Sequence, residues 1–205
     1  MITGPAREKI INVFNSVPNG FRERFALTPH RSTAKVLEAA LTHPNPNIGL
    51  SGLGRPENLK ILEIGCSNLD MAFAAALSGV KNYYINGTDP EALSFAAAYI
   101  AKAGLKARIV PGDVMNISLD GSYNVFLCRE MLRHFLPMSP EGYMGIFLRP
   151  MRSYFVETIV SYNEDHDMYS NLLRAGCTME VIRPVPEGQP SADWYVAAVS
   201  LKPAP

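Results

Sequence analysis

The sequence predicts an α/β fold: a three-layer sandwich with a seven-stranded, mostly parallel sheet, a C-terminal antiparallel hairpin and additional N-terminal helices. Three observations predict it. Apolar runs alternate with segments of helical periodicity along most of the chain, as in parallel strands joined by helices. Only a link rich in Pro and Gly separates the last two apolar runs, which indicates an antiparallel pair. In the stretch Leu59–Asp70, LKILEIGCSNLD, an apolar run ends abruptly at Gly65, and a polar turn leads into an apolar helix.

The N-terminal residues 1–56 are predicted to form helices and a linker that precede the sheet domain, residues 57–205. Apolar residues at helical spacing predict one helix within residues 7–14 and a second over about residues 31–42. Residues 43–56 contain three prolines and three glycines, which is typical of a surface linker. Aromatic and basic residues of this extension either close over the sheet edge as a lid or pack on a side helix: Phe14, Phe21, Arg22, Arg24 and Phe25.

The sheet domain alternates strands with helices, and each boundary has a local signal. Pro90 lies in the first turn of a predicted helix, while Gly79 and Gly104 follow the ends of two helices. The predicted strands are residues 60–64, 82–86, 107–110, 123–128, 153–160, 179–182 and 194–201. The predicted helices are residues 70–77, 90–103, a segment after Ser139-Pro140-Glu141, and residues 165–175.

Composition excludes several classes of protein. The hydrophobic fraction of 47% and the charged fraction of 19% are ordinary for a soluble globular chain of 205 residues. Nineteen basic residues balance nineteen acidic ones, so no broad nucleic-acid surface is expected, although this balance is compatible with a local basic patch. No apolar run is long enough to span a membrane or to form a signal peptide, so a cytoplasmic location is expected. Cys66, Cys128 and Cys177 are odd in number and widely spaced, which predicts neither a disulfide framework nor a metal site.

The turn after the first predicted strand is the strongest candidate for a binding site. Backbone amides of such a turn and the N-terminus of the next helix point to one spot beyond the strand. That spot favours a ligand with negative charge or many hydrogen-bond acceptors. Asp89 comes at the end of the second strand, where an acidic residue about 20 positions past a glycine turn reads a nucleotide ribose.

Four motifs in this order resemble those of the Rossmann-like class I S-adenosylmethionine-dependent methyltransferases. They are LEIGC at residues 62–66, GDV at residues 112–114, YNVFLCREMLRHF at residues 123–135 and WYVAAVSLKP at residues 194–203. The resemblance covers roughly residues 59–203 and implies S-adenosyl-L-methionine as the cofactor. The chain departs from the family in the first motif, where Ser67 and Leu69 stand at positions that are usually glycine. This departure implies an altered cofactor geometry, in which Ser67 and Asn68 donate hydrogen bonds in compensation.

The resemblance assigns a role to each acidic residue, and each has a structural alternative. Glu63 would meet the ammonium group of the cofactor, or else cap nearby backbone. Asp89 would accept hydrogen bonds from both ribose hydroxyls, or else cap a helix. Asp113 would accept from the adenine amino group, or else serve as a turn residue. The implied cofactor-binding residues are Glu63, Gly65, Ser67, Asn68, Asp89, Pro90, Asp113, Val114, Cys128 and Arg129.

Two residues after the fourth strand are candidates for catalysis. Arg129 would hold a carboxylate group and His134 would act as a base. The alternatives are a solvated pair of Arg129 with Glu130, and a His134 that packs or caps a helix. Most tyrosines are expected in the core, but one or two of a larger set could surround a sulfonium by cation–π attraction: Tyr83, Tyr84, Tyr123, Tyr162 and Tyr169.

The first hypothesis for function is methyl transfer to a small molecule, with neither nucleic acid nor membrane as partner and the oligomeric state undetermined. The second is a cyclase that uses S-adenosylmethionine as its sole substrate. In this reaction the amine of S-adenosylmethionine would attack the γ-carbon of the same molecule. The products would be azetidine-2-carboxylate and methylthioadenosine. The third is a non-catalytic methyltransferase-like protein. A nucleotide-linked oxidoreductase is the weakest hypothesis, because the dinucleotide glycine pattern is absent.

Overall fold

A computed structural model of the chain describes residues 2–18, 55–65, 69–114, 116, 123, 125–129, 154–159, 178–182 and 195–200. These residues include seven strands and three α-helices. The strands are β1 Lys60–Ile64, β2 Asn82–Gly87, β3 Lys106–Pro111, β4 Val125–Arg129, β5 Tyr154–Ile159, β6 Thr178–Ile182 and β7 Tyr195–Ser200. The helices are α1 Gly4–Asn15, α2 Asp70–Leu77 and α3 Pro90–Lys102, and a single 3-10 turn covers Pro56–Asn58.

The strands form one sheet in the order β3-β2-β1-β4-β5-β7-β6. Each neighbouring pair from β3 to β5 is parallel. β7 lies between β5 and β6 and is antiparallel to both. The chain therefore builds the sheet outwards in two directions from β1, first towards β3 and then towards β6.

One face of the sheet packs against the three described helices. Ile61 of β1 lies opposite Tyr83 of β2 and Val125 of β4, and all three belong to one buried cluster with residues of α1, α2 and α3. Leu62 and Ile64 point to the other face, because side chains alternate along a strand, and they too are buried. Both faces of β1 are thus covered, as expected for a central parallel strand.

Helix α1 packs on α2 and α3. The rings of Phe14 in α1 and Phe73 in α2 meet edge to face at a centroid distance of 5.0 Å. Ahead of the helix, the Ile2 amide donates to the Leu77 carbonyl at 2.9 Å. Ile10 and Val17 are buried in the same cluster as the sheet residues, so this part of the N-terminal segment packs against the side of the fold that carries the helices.

The predicted α/β fold with a parallel sheet and helices is confirmed. β1 and α2 have the predicted bounds, whereas β3 is longer, because all six of its residues pair with β2. The fourth strand begins at Val125 rather than Tyr123, since Val125 is the first residue in register with β1. The helices predicted near residues 31–42, after Ser139 and over residues 165–175 lie outside the described residues. None of the described helices is long and apolar enough to cross a bilayer.

Candidate functional site

Residues from four different parts of the sequence meet at one edge of the sheet. β3, β2, β1 and β4 are parallel neighbours, so their carboxyl ends lie side by side. Gly65 follows β1, Asp89 follows β2 and Asp113 follows β3, while Arg129 is the last residue of β4. The strand order reverses between β1 and β4, and open α/β sheets bind ligands at such a switch point.

The turn after β1 begins with a left-handed backbone. Gly65 has a φ of 70°, a conformation that costs other residues roughly 1–2 kcal/mol because Cβ approaches the following carbonyl. This conformation explains the abrupt end of the strand at Ile64. The chain then reaches Leu69, which is buried and immediately precedes α2. Cys66, Ser67 and Asn68 lie outside the described residues, so their roles stay predictions.

Glu63 is the only charged side chain in the buried part of the described chain. It lies one residue before the end of β1, and 4% of its surface is exposed. The Tyr83 hydroxyl, itself fully buried, donates to Glu63 Oε2 at 3.0 Å. A buried carboxyl group without a hydrogen-bond partner would be strongly destabilising, so this hydrogen bond stabilises Glu63 beside the turn.

Asp89 caps helix α3. Its Oδ1 atom accepts hydrogen bonds from the amides of Glu91 at 3.0 Å and Ala92 at 3.2 Å. Pro90 occupies the first helical position, where a missing amide hydrogen costs nothing. The structural alternative predicted for Asp89 is therefore present. Since the Asp89 side chain is also exposed at the carboxyl edge, the cap does not prevent a ribose contact.

The turn after β3 is fastened to the end of β2. Gly112 has a φ of 115°, and its amide donates to the Gly87 carbonyl at 2.9 Å. The buried Asn86 side chain donates from Nδ2 to the carbonyls of Val110 at 2.9 Å and Gly112 at 2.8 Å. Asp113 comes next and is exposed, whereas Val114 is buried. In the GDV motif, the Asp113 carboxylate is therefore exposed at the edge of the sheet, while the buried Val114 side chain packs in the interior.

The remaining predicted residues are placed only in part. Cys128 lies opposite Ile64 in the sheet register, and Arg129 follows it at the end of β4. His134 lies outside the described residues, so its role as a base stays a prediction. Among the side chains that the structure describes, no three His, Cys, Asp or Glu residues are close enough together to hold a metal ion.

Sequence reasoning missed the parts played by Tyr83 and Asn86. Tyr83 was only one member of a group of candidate pocket tyrosines, and Asn86 was not singled out. Both belong to the segment NYYING of β2, which places an amide side chain inside a buried strand. That amide was the available signal, because a buried polar group needs hydrogen-bond partners.

The sequence matches no protein-family model and no curated protein sequence. Solved structures are similar in fold. A TehB-like SAM-dependent methyltransferase from Corynebacterium glutamicum aligns with 90% of this chain and 100% of its own, at 18% identity and a TM-score of 0.54. The 16S rRNA methyltransferase RmtF, solved in complex with S-adenosyl-L-homocysteine, aligns with 96% of this chain and 74% of its own, at 12% identity and a TM-score of 0.61.

This chain has the fold of the class I methyltransferases. The human methyltransferase 10 domain containing protein is also similar in fold. It aligns with 94% of this chain and 98% of its own, at 12% identity and a TM-score of 0.58. The predicted resemblance is thereby confirmed at the level of fold. Whether Ser67 and Leu69 alter the geometry of the first motif stays a prediction, because residues 66–68 are not described.

Proposed function

We propose that this protein binds S-adenosylmethionine across the carboxyl ends of β1, β2 and β3 and transfers its methyl group to a small molecule. One arrangement carries this function: three carboxylates lie at the carboxyl ends of adjacent parallel strands, beside a glycine turn with positive φ. Glu63 is the next-to-last residue of β1, whereas Asp89 and Asp113 follow β2 and β3. The methyltransferase fold of the chain and the complex of RmtF with S-adenosyl-L-homocysteine support it.

The three carboxylates fit the hydrogen-bond donors of this cofactor. An ionised carboxylate only accepts hydrogen bonds, and the cofactor offers an ammonium group, two ribose hydroxyls and an adenine amino group. Glu63 is buried next to the turn, which suits the ammonium group, since charge attraction is strongest away from water. Asp89 suits the ribose and Asp113 the adenine.

The cofactor, when bound, supplies a methyl group on a sulfonium, which is already a good leaving group. The residues of this chain then have three tasks: to bind the cofactor, to align the acceptor atom and to exclude water. Arg129, at the end of the neighbouring strand β4, is proposed to bind a carboxylate group. His134 is proposed to take a proton from an acceptor that must lose one.

A small-molecule acceptor agrees better with the charge of the chain than a polynucleotide does. The nineteen basic and nineteen acidic residues give no net charge, whereas domains with a broad nucleic-acid surface are commonly basic. RmtF is a 16S rRNA methyltransferase by name, so RNA belongs in the test as a competing acceptor.

Product analysis tests this function. The protein is incubated with S-adenosylmethionine alone, with a deproteinised and nuclease-treated extract of small molecules, or with total RNA, and nucleoside products are separated by chromatography. We expect S-adenosylhomocysteine only with the small-molecule extract. Methylthioadenosine without any acceptor would instead establish the cyclase. Turnover with RNA alone would reject the small-molecule acceptor, and binding without any product would reject catalysis.

A further inference from the structure

The side chain of Asn86 ties two strands and a turn together. It is 2% exposed, and its amide group donates to two carbonyl oxygens of the β3 end, those of Val110 and Gly112. Val110 lies opposite Asn86 in the sheet register, whereas Gly112 lies beyond the last paired residue of β3. The second hydrogen bond therefore fixes the path of the chain after it has left the sheet.

A backbone hydrogen bond fixes the same turn from its other side. The Gly112 amide donates to the Gly87 carbonyl, while the Gly112 carbonyl accepts from Asn86. Gly112 has a φ of 115°, which only glycine adopts readily. Both peptide groups that flank this glycine are thus held by β2, and the next residue is Asp113.

On the basis of the proposed function, we infer that Asn86 is a positioning residue that sets how the site distinguishes the purine of its cofactor. By fixing the peptide group before Asp113, it directs that carboxylate towards the amino group at C6 of adenine. The amide is suited to this task because it offers two donors to two carbonyls. An alanine leaves both carbonyls without these donors, in a place where burial limits replacement by water.

The preference of the site for one purine over another distinguishes a positioning role of Asn86 from a purely structural one. S-adenosylhomocysteine carries an amino group at C6, and S-inosylhomocysteine carries a carbonyl oxygen there. A carboxylate placed at this position accepts from the amino group and repels the carbonyl oxygen. We expect the native protein to bind S-adenosylhomocysteine at least about tenfold more tightly, as is typical for a hydrogen bond to a charged group. A loss of stability alone would weaken both compounds equally.

Calorimetric titration with both compounds tests the inference in three variants. Asn86→Ala removes both donors, and Gly112→Ala displaces the same turn by strain while leaving Asn86 in place. Asn82→Ala is the matched control, because Asn82 belongs to the same strand and the same face but lies at the amino end. We expect the first two variants to lose most of the preference for S-adenosylhomocysteine and the control to keep it.

The outcomes are distinct. If Asn86→Ala folds, as judged by thermal unfolding, and keeps the native preference, Asn86 does not position the turn and the inference is wrong. If Asn86→Ala does not fold, Gly112→Ala is the test. A Gly112→Ala protein that keeps the native preference for S-adenosylhomocysteine would show that this turn does not set the purine preference, and the inference would be wrong. Equal affinity of the native protein for both compounds also overturns the inference but leaves the proposed function standing. A native protein that binds neither compound overturns the proposed function itself.

Discussion

The carboxylate of Glu63 depends on a hydroxyl from the neighbouring strand. Ile85 is the residue directly opposite Glu63, so Tyr83 is its diagonal neighbour on the same face of the sheet. A tyrosine is long enough to cover this diagonal, and it delivers its hydroxyl to Oε2 while its ring stays in the core. The same side chain thus fills the core and offsets the cost of a buried charge.

Replacing Tyr83 with phenylalanine measures how much the hydrogen bond from its hydroxyl to Glu63 contributes to stability. We expect Tyr83→Phe to lower the free energy of unfolding by about 1–3 kcal/mol, because a buried charged acceptor loses a donor. Urea denaturation measures the change. Tyr99→Phe is the control, since the Tyr99 ring packs on Phe95 in α3, and we expect a change within about 0.5 kcal/mol. Equal losses in the two variants would show that the Tyr83 hydroxyl contributes nothing specific.

The left-handed backbone of Gly65 leads to a second prediction. Gly65→Ala should destabilise the protein by about 1–2 kcal/mol, because a Cβ is strained at positive φ. It should also weaken binding of S-adenosylhomocysteine, since the turn beside Glu63 must shift. Urea denaturation and calorimetric titration measure the two effects.

Gly104→Ala is the matched control for Gly65→Ala. Gly104 has a φ of 92° after α3, and an added Cβ would meet no atom within 4 Å. We expect a comparable loss of stability there with unchanged affinity for S-adenosylhomocysteine. A Gly65→Ala protein with native affinity would contradict a ligand role for this turn.

At the scale of one element, Asp89 at the start of α3 has two roles. It caps the helix, and it is proposed to bind the cofactor. Asp89 accepts from two free amides of the first turn, and its negative charge is favourable at the positive end of the helix dipole. Pro90 fixes the first helical residue, and Glu91 adds another acidic group to that turn. The two capping hydrogen bonds therefore give Asp89 a structural role that needs no ligand.

Two substitutions of Asp89 separate capping from binding. Asp89→Ala should cost about 1 kcal/mol of stability, the usual cost of losing an N-cap. Asp89→Asn should preserve most of the stability, because asparagine caps equally well, but should weaken binding of S-adenosylhomocysteine through the lost charge. Thermal unfolding and calorimetric titration measure both. Native affinity in Asp89→Asn would assign Asp89 to the cap alone.

At the scale of the whole molecule, the sheet order decides which residues can share a ligand. Leaving β1, the chain adds β2 and β3 on one side, and it adds β4 and β5 on the other. Gly65, Asp89 and Asp113 are distant in sequence but follow adjacent parallel strands. A ligand that spans the three strand ends must be elongated, as an adenosyl amino acid is, because strands lie about 4.8 Å apart.

Ligand-induced stabilisation tests this arrangement in the intact protein. At a concentration of about 100 times its Kd, S-adenosylhomocysteine should stabilise the folded state by about 2.7 kcal/mol. For a chain of this size, that gain raises Tm by about 5–10 °C. NAD is the control ligand and should leave Tm unchanged, because the dinucleotide glycine pattern is absent. An equal shift with NAD would favour a nucleotide-linked oxidoreductase.

Local signals in the sequence were sufficient for the elements around the candidate site. The apolar run before Gly65 predicted β1, the segment from Asp70 predicted α2, and Pro90 with Gly104 bounded α3 to within one residue. Each signal acts within a few residues, through backbone conformation or side-chain periodicity. For the same reason, the order of Gly65, Asp89 and Asp113 along strand ends was predictable once the strands were placed.

The sequence by itself determined the class of fold, the strand that precedes the glycine turn and the acidic residues at the strand ends, because glycine, proline and apolar periodicity act locally. Only the tertiary structure decided that the Tyr83 hydroxyl reaches Glu63 and that Asn86 fastens the turn before Asp113. Both contacts join different strands, and their geometry depends on the register of β2 with β1 and β3. Register depends on how the hydrophobic patterns of neighbouring strands match when the sheet packs, so the sequence of one strand alone does not fix it.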